Sequence, residues 1–198
     1  MTTNVYLFDL DDTLISTKVY AEIYQPILDM VKDKLNLTDT QLNDKAVEVG
    51  LDKNKFDRWD TGDLCRELNL LEDYYIVLED HIKVIHGLHD LVIDIFKKLR
   101  KDGKRIGVVS NSMRRTIKAH LNKYELTEYI DFIFSRDDCN CKKRDEKYWQ
   151  TLIEKESLDP KECIMIGDDP VQDIKMPSKF GFQTMLVSSS EDLKKLVE

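Results

Sequence analysis

The sequence predicts an α/β protein: a doubly wound, mostly parallel sheet interrupted after its first strand by an all-helical module. Three observations carry this. Short continuous apolar runs, the mark of strands buried on both faces, recur at residues 5–8, 106–109, 132–134, 164–166 and 184–187. From residue 87 onward they alternate with amphipathic stretches. Residues 16–86 carry helical patterning throughout. The expected organisation is a core of residues 1–15 and 87–198, with residues 16–86 as an inserted helical cap.

The elements follow in order. Val5-Tyr6-Leu7-Phe8 opens the sheet and runs into Asp9-Leu10-Asp11-Asp12-Thr13. In the insert, Thr38 and Gln41 have capping-box spacing, and Asp60-Thr61 can start a helix whose Leu64, Leu68 and Leu71, with Trp59, would form the insert's own core. Leu91, Ile95 and Leu99 make one apolar stripe within an expected helix over 88–100, which Gly103 stops. Ile106 to Val109 is the second strand, with helix expected from about Met113 to Lys123. Phe132 to Phe134 is the third, followed by helix over roughly 145–155. Asp159-Pro160 turns into the fourth strand, Ile164 to Ile166; one more helix precedes the last, Thr184 to Val187.

Composition excludes several function classes. The formal net charge is −8, of which the insert carries −6, so neither nucleic acid nor an anionic membrane is expected as a partner. No apolar run approaches the ~20 residues that span a bilayer, and the start of the chain lacks the pattern of a secretory signal. Cys65, Cys139, Cys141 and Cys163 are too few for a disulfide scaffold and are expected to be free thiols in a cytoplasmic protein.

In an open parallel sheet, ligands bind beyond the carboxyl ends of the strands. Each of the first four strands here ends in a polar cluster: Asp9, Asp11, Asp12 and Thr13; Ser110 and Asn111; Lys142, Lys143 and Arg144; Gly167, Asp168, Asp169 and Asp173. Carboxylates gathered this closely repel, and a hard divalent cation relieves the repulsion. An all-oxygen donor set suits Mg²⁺ better than zinc. A lysine and a hydroxyl suit phosphate oxygens, and a carboxylate left open toward phosphorus can attack it.

These four ordered motifs resemble those of the haloacid dehalogenase superfamily, specifically its phosphatases with a helical cap inserted after the first motif and a Rossmann-like core. Asp9-Leu10-Asp11-Asp12-Thr13 matches Asp-x-Asp-x-Thr, Ser110 the second motif, and Gly167-Asp168-Asp169 with Asp173 the fourth. The third departs from its usual Lys-Pro-x-Pro: aligning Tyr148 on the family's aromatic puts the lysine at Lys142, both prolines are absent, and Lys143 stays an alternative. The resemblance implies that Asp9 is the nucleophile and Asp11 the general acid, then base. It implies that Mg²⁺ is held by Asp9, the Asp11 backbone carbonyl and Asp168, with Asp173 or Asp169 in support. Ser110, Asn111 and Lys142 would bind the phosphoryl oxygens, and Thr13 would fix the turn.

The expected function is therefore hydrolysis of small soluble phosphomonoesters (a sugar phosphate, nucleotide monophosphate or phospho-acid), with the cap excluding bulky chains. Phosphomutase transfer on the same site and a non-catalytic binding module are the alternatives. The second aspartate, Asp11, and the Asp168 cluster argue against carbon–halogen cleavage. The oligomeric state is open.

Overall fold

A computed structural model of the chain describes residues 3–53 and 57–196. It divides into two compact units, Met1–Thr17 with Gly87–Glu198, and Lys18–His86.

In chain order, β1 (Val5–Phe8) is followed by four helices, α1 (Lys18–Leu35), α2 (Asp39–Glu48), α3 (Thr61–Glu67) and α4 (Leu71–Val84). These four make up the second unit. Val19, Ile23, Ile27 and Val31 bury one stripe of α1 at four-residue spacing, and α1 packs on α3 and α4. The Thr38–Gln41 capping box opens α2, and the Asp60 carboxylate caps α3 by accepting from the Asp63 amide. Trp59 and Leu64 are buried, whereas Leu68 and Leu71 are only half-buried.

The chain then returns through α5 (Val92–Lys101), β2 (Arg105–Ser110), α6 (Arg114–Lys123), β3 (Phe132–Ser135), α7 (Glu146–Glu156) and β4 (Cys163–Gly167). It leaves β4 by a π-helical turn over Pro170–Lys175 and a short α8 (Met176–Ser178), then forms β5 (Gln183–Leu186). The helix expected from Leu88 starts only at Val92, because Leu88 is used in an antiparallel bridge to Ile15. That bridge and the hydrogen bond from Ser16 N–H to Gly87 O fix the point where the helical insert leaves and rejoins the core.

The five strands are all parallel, in the order β3-β2-β1-β4-β5. Alternation along each strand assigns its two faces. Leu7, Val109, Cys163 and Met165 join the cluster built on Tyr148, Trp149 and Leu152 of α7. Phe8 turns the other way, its ring 5.1 Å from Phe96 of α5. Each fully buried Leu, Ile or Phe, on strand or helix, contributes about 1.5–3 kcal/mol.

One expectation is overturned here. Cys139 and Cys141 are joined in a disulfide, and only Cys65 and Cys163 are free thiols among the described residues. Cysteine number and chain length say nothing of local geometry, and the short loop between β3 and α7 brings these two Cα atoms to 5.2 Å, within bridging range.

Candidate active site

The strand order explains where the site lies. From β1 the chain builds outward to β2 and β3, then returns past β1 to β4 and β5. The order reverses between β1 and β4, and open parallel sheets bind their ligands beyond the carboxyl ends of the strands at such a point. Asp9 follows β1 directly, and its N–H donates to Ile166 O of β4 at 2.8 Å. Asp168 follows β4. Asp9, Asp168 and Asp173 can each offer a carboxylate oxygen within 4.8 Å of the others.

Asp173 reaches this group from the π-helical turn. It is 1% exposed, and Gly167 makes room for it: a Cβ on Gly167 would lie 2.3 Å from Asp173 Oδ2. Asp173 Oδ2 also accepts from the Asp169 N–H at 3.1 Å. Asp169 points elsewhere, its carboxylate accepting from the Val171 and Gln172 amides and from the Gln172 side chain. Of the two supporting aspartates the sequence left open, Asp173 is the one that joins the cluster.

The Asp11 carboxylate lies outside the group of three, and its Oδ2 accepts from Ser112 Oγ at 2.9 Å. One sequence expectation changes: the lysine that reaches Asp9 is Lys143, not Lys142. Lys143 is 2% exposed, and its ammonium donates to Asp9 Oδ1 and, at 2.6 Å, to Asp173 Oδ1. The missing prolines explain the offset. A turn held by Asp145 replaces them: Asp145 Oδ2 accepts from Lys142 N–H, and Asp145 N–H donates to Lys142 O. Lys143 is then pinned on both sides, its N–H to Asn111 Oδ1 at 2.7 Å and its carbonyl by Trp149 Nε1 at 2.7 Å.

The second motif braces the same place. Ser110 is buried, its hydroxyl accepts from Ser112 N–H, and its carbonyl lies 3.0 Å from the Tyr148 hydroxyl. Asn111 uses its carbonyl on Lys143 and donates its amide to Gln172 Oε1 at 3.0 Å. Thr13 is buried in the turn after Asp11 with no hydrogen-bond partner for its hydroxyl. Asp12 takes a left-handed backbone, φ 52°, and its carboxylate accepts from the N–H and hydroxyl of Thr17, closing the loop that leads to α1. Ser112 and Gln172 were not foreseen. Ser112 stands two residues after Ser110, and that spacing was its only signal.

The electrostatics follow from burial. Desolvation pushes the Asp9 carboxyl well above its ordinary value; Lys143 pulls it back, and Asp173 and Asp11 push it up again. Burial acts downward on Lys143, but Asp9 and Asp173 outweigh it and hold the ammonium above its usual range. Burial, then Asp173 and Asp12, push Asp168 up to about 6. Fully ionised, the three carboxylates outnumber the one ammonium by two charges, which one divalent cation would balance, and an all-oxygen donor set suits a hard ion such as Mg²⁺.

The haloacid dehalogenase-like hydrolase family matches residues 6–187. The chain is 27% identical to a pyrophosphatase, PpaX, of Bacillus cereus, over 95% of this chain and 84% of that one. Its fold is similar to a HAD phosphatase from Thermococcus onnurineus (TM-score 0.75, 20% identity, 100% of this chain and 98% of that chain). It is also similar to the HAD-hydrolase YfnB of Bacillus subtilis, determined bound to magnesium (TM-score 0.63, 20% identity, 95% and 88% covered). With the family matched along nearly the whole chain, this protein belongs to the haloacid dehalogenase-like hydrolases.

Proposed function

We propose that this hydrolase is a phosphatase that cleaves small phosphomonoesters in two steps through a phosphoryl group carried on Asp9. The observation that carries the reading is the Asp9 carboxylate at the switch point, bound by the Lys143 ammonium beside Asp168 and Asp173. Asp9 attacks phosphorus in line, and Asp11 gives a proton to the departing alcohol oxygen. Asp11 then takes a proton from the water that cleaves the acyl phosphate. Lys143 supports the ionised nucleophile and the phosphoryl oxygens, with Ser110 and the backbone N–H groups near Asn111. Asp9, the Asp11 carbonyl and Asp168 would hold Mg²⁺, with Asp173 behind them. When bound, the ion would neutralise the charge that develops on the transferring group.

The Bacillus relative's pyrophosphatase name favours a second reading, in which the leaving group is phosphate rather than an alcohol. A panel of phosphorylated metabolites and pyrophosphate, assayed for released phosphate, separates the two. Turnover should require Mg²⁺, vanish with chelator, and fall to background in Asp9→Asn with the melting temperature held. Wild-type turnover in that variant would falsify the assignment of Asp9. A phosphorylated isomer in place of free phosphate would indicate a mutase.

A further inference from the structure

We infer that Ser112 is a positioning residue for Asp11, setting how well this site expels poor leaving groups. The inference rests on the proposed role of Asp11 as proton carrier and deepens it.

The contact is direct, with Ser112 Oγ 2.9 Å from Asp11 Oδ2 across 101 positions of sequence. Both partners are fixed from behind. The Ser112 N–H donates to the hydroxyl of Ser110, itself 1% exposed at the end of β2. On the other side, the backbone around Asp11 is locked in a tight turn. Leu14 N–H and Ile15 N–H both donate to Leu10 O, and Asp12 N–H donates to Ile15 O. The carboxylate is therefore tied to the second motif rather than free to rotate after β1. Asp11 also stands outside the group formed by Asp9, Asp168 and Asp173.

The side-chain type fits the task. A proton carrier passes through both a charged and a neutral form in each cycle. A lysine or arginine partner can only donate and would favour the charged form throughout. A hydroxyl donates to the carboxylate and, after rotating, accepts from the carboxylic acid. Ser112 can thus keep Asp11 in one place through both halves of the reaction. Losing one such hydrogen bond costs roughly tenfold when it acts in the transition state.

The test compares phenyl phosphate with p-nitrophenyl phosphate under Mg²⁺. Phenolate is the more basic leaving group and needs the proton; p-nitrophenolate departs without it. Values of kcat/KM report steps only through departure of the leaving group, before water attacks. In Ser112→Ala we expect kcat/KM for phenyl phosphate to fall about tenfold and that for p-nitrophenyl phosphate to change less than about twofold. The melting temperature should hold, and Ser112→Thr should restore most of the phenyl phosphate rate. Equal losses on both substrates, no loss on either, or no rescue by threonine overturns the inference. A wild-type protein that releases phosphate from neither substrate overturns the phosphatase chemistry itself, and this inference with it.

Discussion

The Lys143 ammonium lies 2.6 Å from Asp173 Oδ1 while also donating to Asp9, so one buried cation joins the strand-end aspartate of β1 to the aspartate of the turn after β4. Removing the ammonium leaves two buried carboxylates uncompensated, at a cost of about 3–5 kcal/mol, whereas Asp9→Asn leaves it paired with Asp173. Lys143→Met should therefore lower stability by that order at neutral pH, and less near pH 5, where the carboxyls can take up protons. Activity should fall by roughly a hundredfold or more, because the proposed reaction places that charge beside the transferring phosphoryl group. Lys142→Met should leave stability nearly unchanged. Denaturant titrations at two pH values, with initial rates, measure both; a larger loss from the Lys142 variant would return the motif to its sequence alignment.

Gly167 is required by the space it leaves empty. An alanine methyl there would collide with the Asp173 carboxylate, which must then swing away from Asp9 and Asp168. Gly167→Ala should weaken Mg²⁺ binding by about tenfold to a hundredfold, the usual effect of losing a group that supports metal ligands. Calorimetric titration of Mg²⁺ into the two proteins measures this, and equal affinities would show that Asp173 does not support the ion.

His120 of α6, 1% exposed, sets an acid limit away from the active site. Burial, with a smaller push from Lys123, lowers its pKa to about 4, against 6.5 ordinarily. The unfolded chain binds this proton first, so its contribution is intact above about pH 6.5. It is lost progressively as pH falls toward 4, by up to ~3 kcal/mol. Melting temperatures between pH 7.5 and 4.5 should drop less steeply in His120→Gln than in the wild type; parallel curves would remove His120 from the account.

The cysteines give a count. Burial pushes the Cys65 and Cys163 thiols up to about 12, so neither should react quickly in the native protein. Unfolded without reductant, the chain should show two reactive thiols, and after reduction four. Four without reduction would mean that Cys139 and Cys141 are not bonded.

The parallel sheet was legible because its strands are buried on both faces, and burial of that kind writes itself as continuous apolar runs such as Ile106 to Val109. Asp9 and Asp168 were legible as partners because each directly follows such a run, and parallel strands bring their ends to one edge. Side-chain reach and loop path were not written in this way. Whether Lys142 or Lys143 enters the site depends on a turn that Asp145 closes and on anchors at Asn111 and Trp149, which come from other elements. Asp173 over Asp169, and Ser112 beside Asp11, depend on a π-helical turn and a contact across 101 positions. The sequence by itself determined the order of the elements and the edge where the acidic groups collect, since local periodicity reports burial. Only the tertiary structure decided which side chains point at one another, because that is settled by space and hydrogen bonds between segments far apart in the chain.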